Sequence, residues 1–366
     1  MTAAPRILEI GEHRLMHEAY PETTTHWSTA ATLAPAERGP RDHLVTLAAL
    51  PALAKALASF EYDLVVVQPG PFAPWHWQAL ARSLFRRSTL RGVMPYFRTF
   101  GQEMIRGRVT APIAVWDWED SPFIFSHNQF LLDRATLFFK RELPVDHWRV
   151  FMRTVHERLP TPRFRLLENQ RRRVAKLRPV SLGLPRGRET LPAARPVAAD
   201  QKTSDIFFAG RVEGSSTVRE RGLAELIALR DSGIRVDIPE QPLALDQYLA
   251  RIARAWLIWS PEGYGYDCFR TYEAAVCGSV PILNRQTVER YKPLRDGEHC
   301  FYYDVEQGNL TAAVTRALRD RDRLSQMARA AREFVLTEHT PAALARYIAE
   351  TTLNAAPDGA LKSISA

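Results

Sequence analysis

The sequence predicts an α/β protein with two doubly wound parallel sheets in succession. Its 366 residues exceed the roughly 250–300 at which a single hydrophobic core stops growing. In both halves, short apolar runs alternate with longer amphipathic stretches, the pattern of parallel strands covered by helices. A stretch rich in Pro, Ala and Arg without apolar periodicity separates the halves, so we predict a linker over residues 189–203.

The first half contains strand-like runs at residues 6–11, 63–70, 111–120 and 135–142, with a further apolar run at 178–185. Residues 42–60, DHLVTLAALPALAKALASF, have the spacing of a helix. These elements predict an N-terminal domain over residues 1–188.

The second half repeats the alternation. Strands are predicted at 205–210, 234–239, 255–263 and 279–284, and helices near 218–232, 244–254, 308–319, 321–336 and 340–353. They define a C-terminal domain over 204–340, a C-terminal helix over 341–355 for which packing back on the N-terminal domain is one option, and a disordered tail over 356–366. Because ligands of such sheets bind outside the carboxyl ends of the strands, we expect a cleft between the domains.

The composition limits the compartment and the kinds of partner that fit the sequence. Three scattered cysteines provide neither a disulfide framework nor a metal-ligand cluster, which favours the cytoplasm. No run approaches the ~18 apolar residues of a membrane span. The net charge of +8 suits nucleotide diphosphates, anionic lipid at the inner membrane face, or nucleic acid. Basic clusters at 82–91 and 170–178 have two interpretations: solvated helix faces, which are the usual case, or a contact with a membrane or an acceptor.

Residues 260–284, SPEGYGYDCFRTYEAAVCGSVPILN, carry the most information. They predict a glycine-containing turn, a helix from Cys268 to Cys277 stopped by Gly278, and a strand. Asp267 is a predicted N-cap, and the helix start offers N–H groups and a dipole to an anion such as a diphosphate. Glu273 has two interpretations: a carboxylate that binds ribose hydroxyls, or a partner of Arg270 at i, i+3 spacing.

This segment resembles the donor-binding signature of GT-B glycosyltransferases of the group 1 type, and YDCFRTYEAAVCGSVPI is most similar to exostosin-like and spore-maturation-type members. The resemblance implies a GT-B fold, with two Rossmann-like domains facing across a cleft and the acceptor on the N-terminal side. It implies that a nucleotide-diphosphate sugar is the donor, with no cofactor and no metal. The implied donor-binding residues are Gly263, Tyr264, Gly265, Tyr266, Asp267, Cys268, Phe269 and Glu273. The two glutamates of the usual pattern are closer together than Glu262 and Glu273, so Glu262 receives no role.

A second element, FFAGRVEGSSTVRERG at 207–222, resembles the strand and Gly-Arg motif that open the C-terminal domain of these transferases. The resemblance implies that Arg211, with Arg219 or Arg221, neutralises the diphosphate leaving group. Glycosyl transfer needs such charge, because negative charge grows on the departing phosphate. An exposed position at a helix start is the alternative for Arg219 and Arg221.

The sequence gives a less specific signal for the acceptor side. Asp117, Glu119 and His127 lie at or just after a predicted strand end, and they are the candidate general bases of an inverting enzyme. The alternative is that the acidic residues cap the next helix and that His127 caps or hydrogen-bonds within its loop. A retaining enzyme would need no general base. Weaker candidates for ligand contact are Lys140, Arg141, the loop 11–14 and a set of aromatic residues, namely Phe72, Trp75, Trp77, Trp116 and Trp118.

We therefore expect a glycosyltransferase that moves a hexosyl or related group to a hydroxyl of a glycan, lipid-linked or protein acceptor in glycan or glycoconjugate assembly. The alternative is a non-catalytic or epimerase-like GT-B protein that binds a nucleotide sugar. A nucleic-acid-binding protein would show a recognition motif beside its charge, and a dinucleotide oxidoreductase would show G-x-G-x-x-G; the sequence has neither.

Overall fold

A computed structural model describes residues 3–30, 39–71, 97–152, 154–156, 159–160 and 170–356. The chain divides into two compact units: unit 1 comprises Met1–Val180 and Leu344–Ala366, and unit 2 comprises Ser181–Ala343. The basic cluster at 82–91, the aromatic residues Phe72, Trp75 and Trp77, and the predicted tail from residue 357 onward lie outside the described residues.

The described residues of unit 1 form a seven-stranded parallel sheet in the order β3-β2-β1-β4-β5-β6-β9. Its strands are β1 Ile7–Gly11, β2 Thr24–Ser28, β3 Asp42–Leu44, β4 Leu64–Val67, β5 Ile113–Asp117, β6 Leu137–Lys140 and β9 Leu177–Pro179. The short strands β7 Thr154–His156 and β8 Leu159–Pro160 form an antiparallel pair. Apolar runs such as LVVV in β4 are buried throughout, as expected for a parallel sheet covered on both faces.

The described helices before Val180 are α1 Leu50–Ala58, α2 Phe100–Glu103, α3 Gln129–Arg134 and α4 Gln170–Val174. The single helix predicted over 42–60 is wrong in its first part, because residues 42–44 form β3 and the α-helix begins only at Leu50. Pro51 explains this start, since proline has no N–H to donate and is tolerated in the first helical turn.

Unit 2 contains a five-stranded parallel sheet in the order β11-β10-β12-β13-β14. Its strands are β10 Ser204–Phe207, β11 Val236–Asp237, β12 Ala255–Trp259, β13 Val280–Asn284 and β14 Phe301–Tyr303. Its helices are α5 Thr217–Leu229, α6 Leu245–Ala253, α7 Phe269–Val276, α8 Asn309–Ala317 and α9 Arg321–Glu338, and α10 Pro341–Ala355 follows. The prediction of two doubly wound parallel sheets is confirmed.

Residues 189–203 lie inside unit 2 rather than forming a linker between domains. Three short 3-10 helices occupy this region, at Arg188–Thr190, Pro192–Ala194 and Ala199–Gln201. Ala194 is buried in the core, and the buried Lys202 amine donates to the carbonyls of Ala255 and Gly278 at 2.8 and 2.7 Å. The division between the units falls instead between Val180 and Ser181.

From Leu344 onward, the residues of α10 belong to unit 1. The Tyr347 hydroxyl donates to the Pro179 carbonyl at 3.0 Å, and its ring meets Phe139 edge-on at 5.3 Å. Ala356, the first residue of the predicted tail, is buried.

In both sheets the strand order reverses once along the chain, between β1 and β4 in unit 1 and between β10 and β12 in unit 2. Loops that follow such neighbouring strands diverge and leave a crevice, where α/β proteins bind ligands. Within the described residues, no helix is both long enough and apolar enough to cross a membrane.

Candidate functional site

At the switch point of unit 2, one guanidinium connects the two diverging loops. Arg219, in the first turn of α5, donates from Nε to the Glu262 carbonyl at 2.9 Å and from Nη1 to the Arg211 carbonyl at 2.8 Å. Gly263 leaves room for it, because a Cβ there would lie 2.4 Å from Nη2. The glycine predicted to allow close approach of a ligand thus allows close approach of Arg219.

Arg270, in the first turn of α7, is held in a similar way. Its Nη2 and Nε donate to the Ala209 carbonyl at 2.7 and 3.1 Å, and its guanidinium lies 4.9 Å from the centre of the Phe208 ring. A Cβ on Gly210 would lie 2.4 Å from Nη2. The loop after β10 is therefore fastened to the start of α7 through an arginine and a glycine.

In the part of the chain that the structure describes, no carboxylate oxygen lies within ion-pair distance of either guanidinium. Burial lowers the pKa of Arg219, and the neighbouring charge of Arg270 lowers it further. Both guanidinium groups donate to backbone carbonyls. Burial opposes the charge of Arg270, but the neighbouring Cys268, Tyr248 and Glu273 raise its pKa above the usual value. Arg211 lies beside them on the loop after β10, with an exposed side chain that donates to the Glu213 carbonyl at 3.1 Å. This cationic switch point, formed by Arg211, Arg219 and Arg270, is suited to an anion.

The start of α7 lies at the same edge of the sheet. Cys268 is its N-cap residue and makes no side-chain capping bond. Asp267, the predicted N-cap, is instead a buried anchor that accepts from the Tyr272 hydroxyl at 2.8 Å and from the Leu182 N–H at 2.7 Å. The prediction of a capping role is wrong for this reason. The dipole of α7 adds to the positive electrostatic potential that the arginines create at this edge of the sheet.

The turn before α7 folds upon itself. The Gly263 N–H donates to the Gly265 carbonyl at 3.0 Å, and Tyr264 between them is 46% exposed. The Tyr266 carbonyl accepts from Arg290 at 2.8 Å and also from Gln286. Phe269 is the first residue of α7.

Glu273 is buried and bound on both carboxylate oxygens. Oε1 accepts from Arg188 Nε at 2.9 Å, and Oε2 accepts from the Tyr248 hydroxyl at 3.0 Å. Its ion-pair partner is thus Arg188 rather than Arg270, the partner that helical spacing offered. Sequence reasoning missed Arg188 because it precedes the stretch assigned as a linker. Each oxygen keeps a further lone pair that can accept from a ligand hydroxyl.

The structure separates the two arginines that the sequence left as alternatives. Two positions along an α-helix correspond to about 200° of rotation, so Arg219 and Arg221 project from different faces of α5. Arg221 lines another cavity of about 580 Å³, together with Glu225 and Tyr303. Arg211 and Arg219 lie at the switch point, whereas Arg221 does not.

In unit 1, Asp117 ends β5 and is buried against Lys140, which ends β6. The Lys140 amine donates to Asp117 Oδ2 at 2.8 Å, and both side chains are at most 4% exposed. Asp117 Oδ1 also accepts from the Glu119 N–H at 3.1 Å. Arg141 pairs with Glu142 at 3.0 Å and with Asp120. Asp117 is therefore already matched by a buried cation.

The other two candidate bases, His127 and Glu119, have different surroundings from each other. His127 Nε2 lies 3.0 Å from the Gly70 carbonyl, and its ring stacks on Phe125 with centroids 5.6 Å apart. Glu119 is exposed and lines a cavity of about 320 Å³ at the switch point of unit 1. Trp116 and Trp118 line the same cavity, so the structure places two of the five aromatic candidates together with Glu119.

The loop after β1 borders this cavity as well, through Glu12 and His13. Gln68, which follows β4, binds the loop: its Oε1 accepts from the N–H groups of Glu12 and His13 at 2.9 and 3.0 Å. The sequence indicated the loop only as a turn and gave no signal for Gln68.

Comparisons with known proteins agree with these features. The family model described as "Glycosyl transferase-like" matches residues 243–350, which include α6, α7 and β13. No curated protein sequence matches the chain.

Three solved structures are similar over almost the whole chain. A glycosyltransferase from Rickettsia africae has 11% sequence identity and a TM-score of 0.55, and the match covers 95% of this chain and 98% of that one. Anabaena HepE in complex with UDP has 14% identity and a TM-score of 0.52, with coverage of 94% of this chain and 99% of that one. An alpha-glucosyltransferase in complex with UDP and a DNA 13-mer has 10% identity and a TM-score of 0.51, with coverage of 96% of this chain and 100% of that one. At such identities the likeness shows a shared fold.

Proposed function

We propose that this chain, which has the GT-B fold of group 1-type glycosyltransferases and carries a glycosyl transferase-like segment, transfers a sugar from a nucleotide-diphosphate donor to a hydroxyl acceptor. The observation that carries the proposal is the cationic switch point of unit 2. Two arginines that donate to backbone carbonyls lie there beside the start of α7, at the edge where nucleotides bind in α/β sheets.

In the proposed reaction, the bond between the anomeric carbon and the diphosphate oxygen breaks, and the electron pair leaves with the diphosphate. Arg211 and Arg219 stabilise that charge, and α7 adds its dipole. Since fixed guanidinium groups supply the positive charge, we propose that transfer is independent of metal. The second lone pairs of the Glu273 carboxylate accept from the ribose hydroxyls.

UDP is the first nucleotide to test, because HepE and the alpha-glucosyltransferase were both crystallised with it. We propose a hexosyl or related group as the sugar, and glycan, polysaccharide or glycoconjugate assembly in the cytoplasm or at the inner membrane face as the setting. The net charge of +8 supports contact with an anionic membrane. An exostosin-like subtype is supported by the sequence of residues 266–282.

An epimerase-like or non-catalytic nucleotide-sugar-binding protein would use the same cationic switch point. Product analysis separates the alternatives, since only a transferase joins the sugar to a second molecule. An epimerase would return an altered nucleotide sugar, and a binding protein would return the donor unchanged.

The test is calorimetry of the full chain with UDP, GDP, TDP and CMP, using NAD and a short DNA duplex as comparison ligands. We expect selective binding of one nucleotide diphosphate that Arg219→Ala weakens and Arg221→Ala leaves intact. Turnover of the corresponding nucleotide sugar is then measured with and without EDTA. Binding of NAD or DNA alone would refute a nucleotide-sugar site in unit 2.

A further inference from the structure

Two side chains from distant parts of unit 2 bind the Glu273 carboxylate, one on each oxygen. Arg188 Nε donates to Oε1 at 2.9 Å, and the Tyr248 hydroxyl donates to Oε2 at 3.0 Å. A carboxylate held through one oxygen can still turn about its terminal bond, whereas donors on both oxygens fix its plane. The plane of the Glu273 carboxylate is therefore set by residues that lie 85 and 25 positions away in the sequence.

Arg188 is presented to the carboxylate by a short turn with several hydrogen bonds. It begins the 3-10 helix Arg188–Thr190, and its N–H donates to the Pro185 carbonyl at 3.1 Å. Gly187 precedes it with φ +71°, in the left-handed region that glycine adopts without steric cost. The Gly187 carbonyl accepts from the Thr190 hydroxyl at 2.9 Å. The backbone that carries Arg188 is thus held on both sides.

Tyr248 is presented by α6, and its hydroxyl keeps its proton. The ring lies 6.1 Å from the ring of Phe207 in β10, and the side chain is half-buried. Burial raises the pKa of Tyr248 well above its usual value, although the charge of Arg270 opposes the effect. The hydroxyl therefore remains a donor at neutral pH, and a hydrogen bond from it to a carboxylate is stronger than one between neutral groups.

The bound carboxylate can still accept from a ligand. Its side chain is 6% exposed and that of Arg188 is 25% exposed, so the carboxylate lies just beneath the surface. Each oxygen uses one lone pair on its protein donor and keeps the other. Two hydroxyl groups on adjacent carbons, as in ribose, reach both oxygens only when the carboxylate plane is held in the matching orientation.

The carboxylate also adjoins the cationic switch point. Burial opposes the charge of Arg270, whereas Cys268, Tyr248 and Glu273 raise its pKa, so these groups lie close to its guanidinium. Tyr248 is thus a neighbour of both the carboxylate and the cation. The groups that we propose for phosphate and for ribose share one part of unit 2.

We propose that Arg188 and Tyr248 are positioning residues, which hold the Glu273 carboxylate so that it accepts from both ribose hydroxyls and selects a ribonucleotide over its 2′-deoxy counterpart. This inference rests on the proposed function and names the residues that give the nucleotide site its preference for ribose. Neither residue has to touch the nucleotide. Removing either donor should weaken the ribonucleotide more than the deoxynucleotide, because only the ribonucleotide uses both oxygens of the oriented carboxylate.

The experiment uses the full chain and compares UDP and GDP with 2′-deoxy-UDP and 2′-deoxy-GDP by calorimetry. The measured quantity is the ratio of Kd for the deoxynucleotide to Kd for the ribonucleotide, and thermal unfolding is recorded for each protein. The variants are Tyr248→Phe and Arg188→Met. The matched controls are Tyr303→Phe, a buried tyrosine whose hydroxyl accepts from Trp259, and Arg195→Met, an exposed arginine near Arg188 in the chain.

We expect the wild type to bind the ribonucleotide about 10- to 100-fold more tightly, the effect of one hydrogen bond to a charged group. Tyr248→Phe and Arg188→Met should each reduce that ratio by about three- to tenfold, whereas both controls should keep it. Tyr248→Phe retains the ring and the ion pair, so it decides the matter where Arg188→Met fails to fold.

A wild-type ratio in Tyr248→Phe would overturn the positioning role, because equal losses for both nucleotides would show only support of the fold or a direct contact. Equal wild-type affinity for the ribonucleotide and the deoxynucleotide, or selective binding of thymidine diphosphate, would overturn the selection of ribose. Failure to bind any nucleotide diphosphate would instead refute the proposed function.

Discussion

Gly263→Ala offers a sharp test of the cationic switch point, because the glycine acts through Arg219. The new Cβ would lie 2.4 Å from Nη2, 2.9 Å from Cζ and 3.3 Å from Nη1, so the guanidinium has to move. Moving it breaks the bonds to the carbonyls of Glu262 and Arg211. A flexible arginine can swing into solvent, and we therefore expect the fold to be retained.

The expected loss is in ligand affinity. A hydrogen bond from a charged group contributes about 1.5–3 kcal/mol, and each ~1.4 kcal/mol is a tenfold change in Kd. If Arg219 contacts the diphosphate, Gly263→Ala should weaken nucleotide binding about 10- to 100-fold. Arg219→Ala should have an effect of similar size. Because both substitutions remove one contact, the double variant should be weaker than either single variant by less than about threefold.

The assay is calorimetry with the nucleotide diphosphate that binds the wild type, combined with thermal unfolding of every variant. Arg221→Ala is the matched control, as it removes an arginine from the same helix on a face that lines another cavity. Wild-type affinity in Gly263→Ala, or effects that multiply in the double variant, would refute the reasoning.

Three further outcomes are expected. Lys140→Met should lower the free energy of unfolding in urea by about 3–5 kcal/mol because it leaves Asp117 buried without its partner, whereas adding Asp117→Leu should restore most of it. Glu273→Ala should weaken nucleotide binding by about 1.5–3 kcal/mol in calorimetry, and unchanged affinity in a folded variant would exclude the ribose role. Burial lowers the pKa of His339 from 6.5 to about 4, so the stability it contributes is present above pH 6.5 and is lost as the pH falls through 4. His339→Gln should flatten this acid limb in pH-dependent thermal unfolding, and an unaltered limb would contradict that origin.

Most of the fold could be predicted because its signals are local. Apolar runs locate β4, β5, β12 and β13, and helical spacing locates α5 to α10 within a few residues. β2, with the sequence TTHWS, was not predicted because its residues are mostly polar. It is buried between β1 and β3, and only the assembled sheet makes it a strand.

The difference between local and long-range contacts also explains which parts of the candidate sites could be predicted. The glycine turn and the start of α7 could be predicted, since both depend on adjacent residues. The ion pair of Glu273 with Arg188 joins residues 85 positions apart in the sequence. The hydrogen bond from the His13 N–H to Gln68 joins residues 55 positions apart. Helical spacing suggested Arg270 for Glu273, but the fold brings a more distant cation to it. No local pattern carries such contacts.

Unit 1 is built from two separate segments of the chain, and this affects the order in which the units can fold during synthesis. Leu344, Ala345, Ile348 and Ala349 of α10 are buried, yet they are synthesised after all of unit 2. On a ribosome, unit 2 is a continuous segment and can fold as soon as it emerges, whereas the sheet of unit 1 must wait for its last helix. A chain stopped at residue 343 would leave apolar surface around Phe139 uncovered, and that nascent state is the one most exposed to aggregation and most in need of a chaperone.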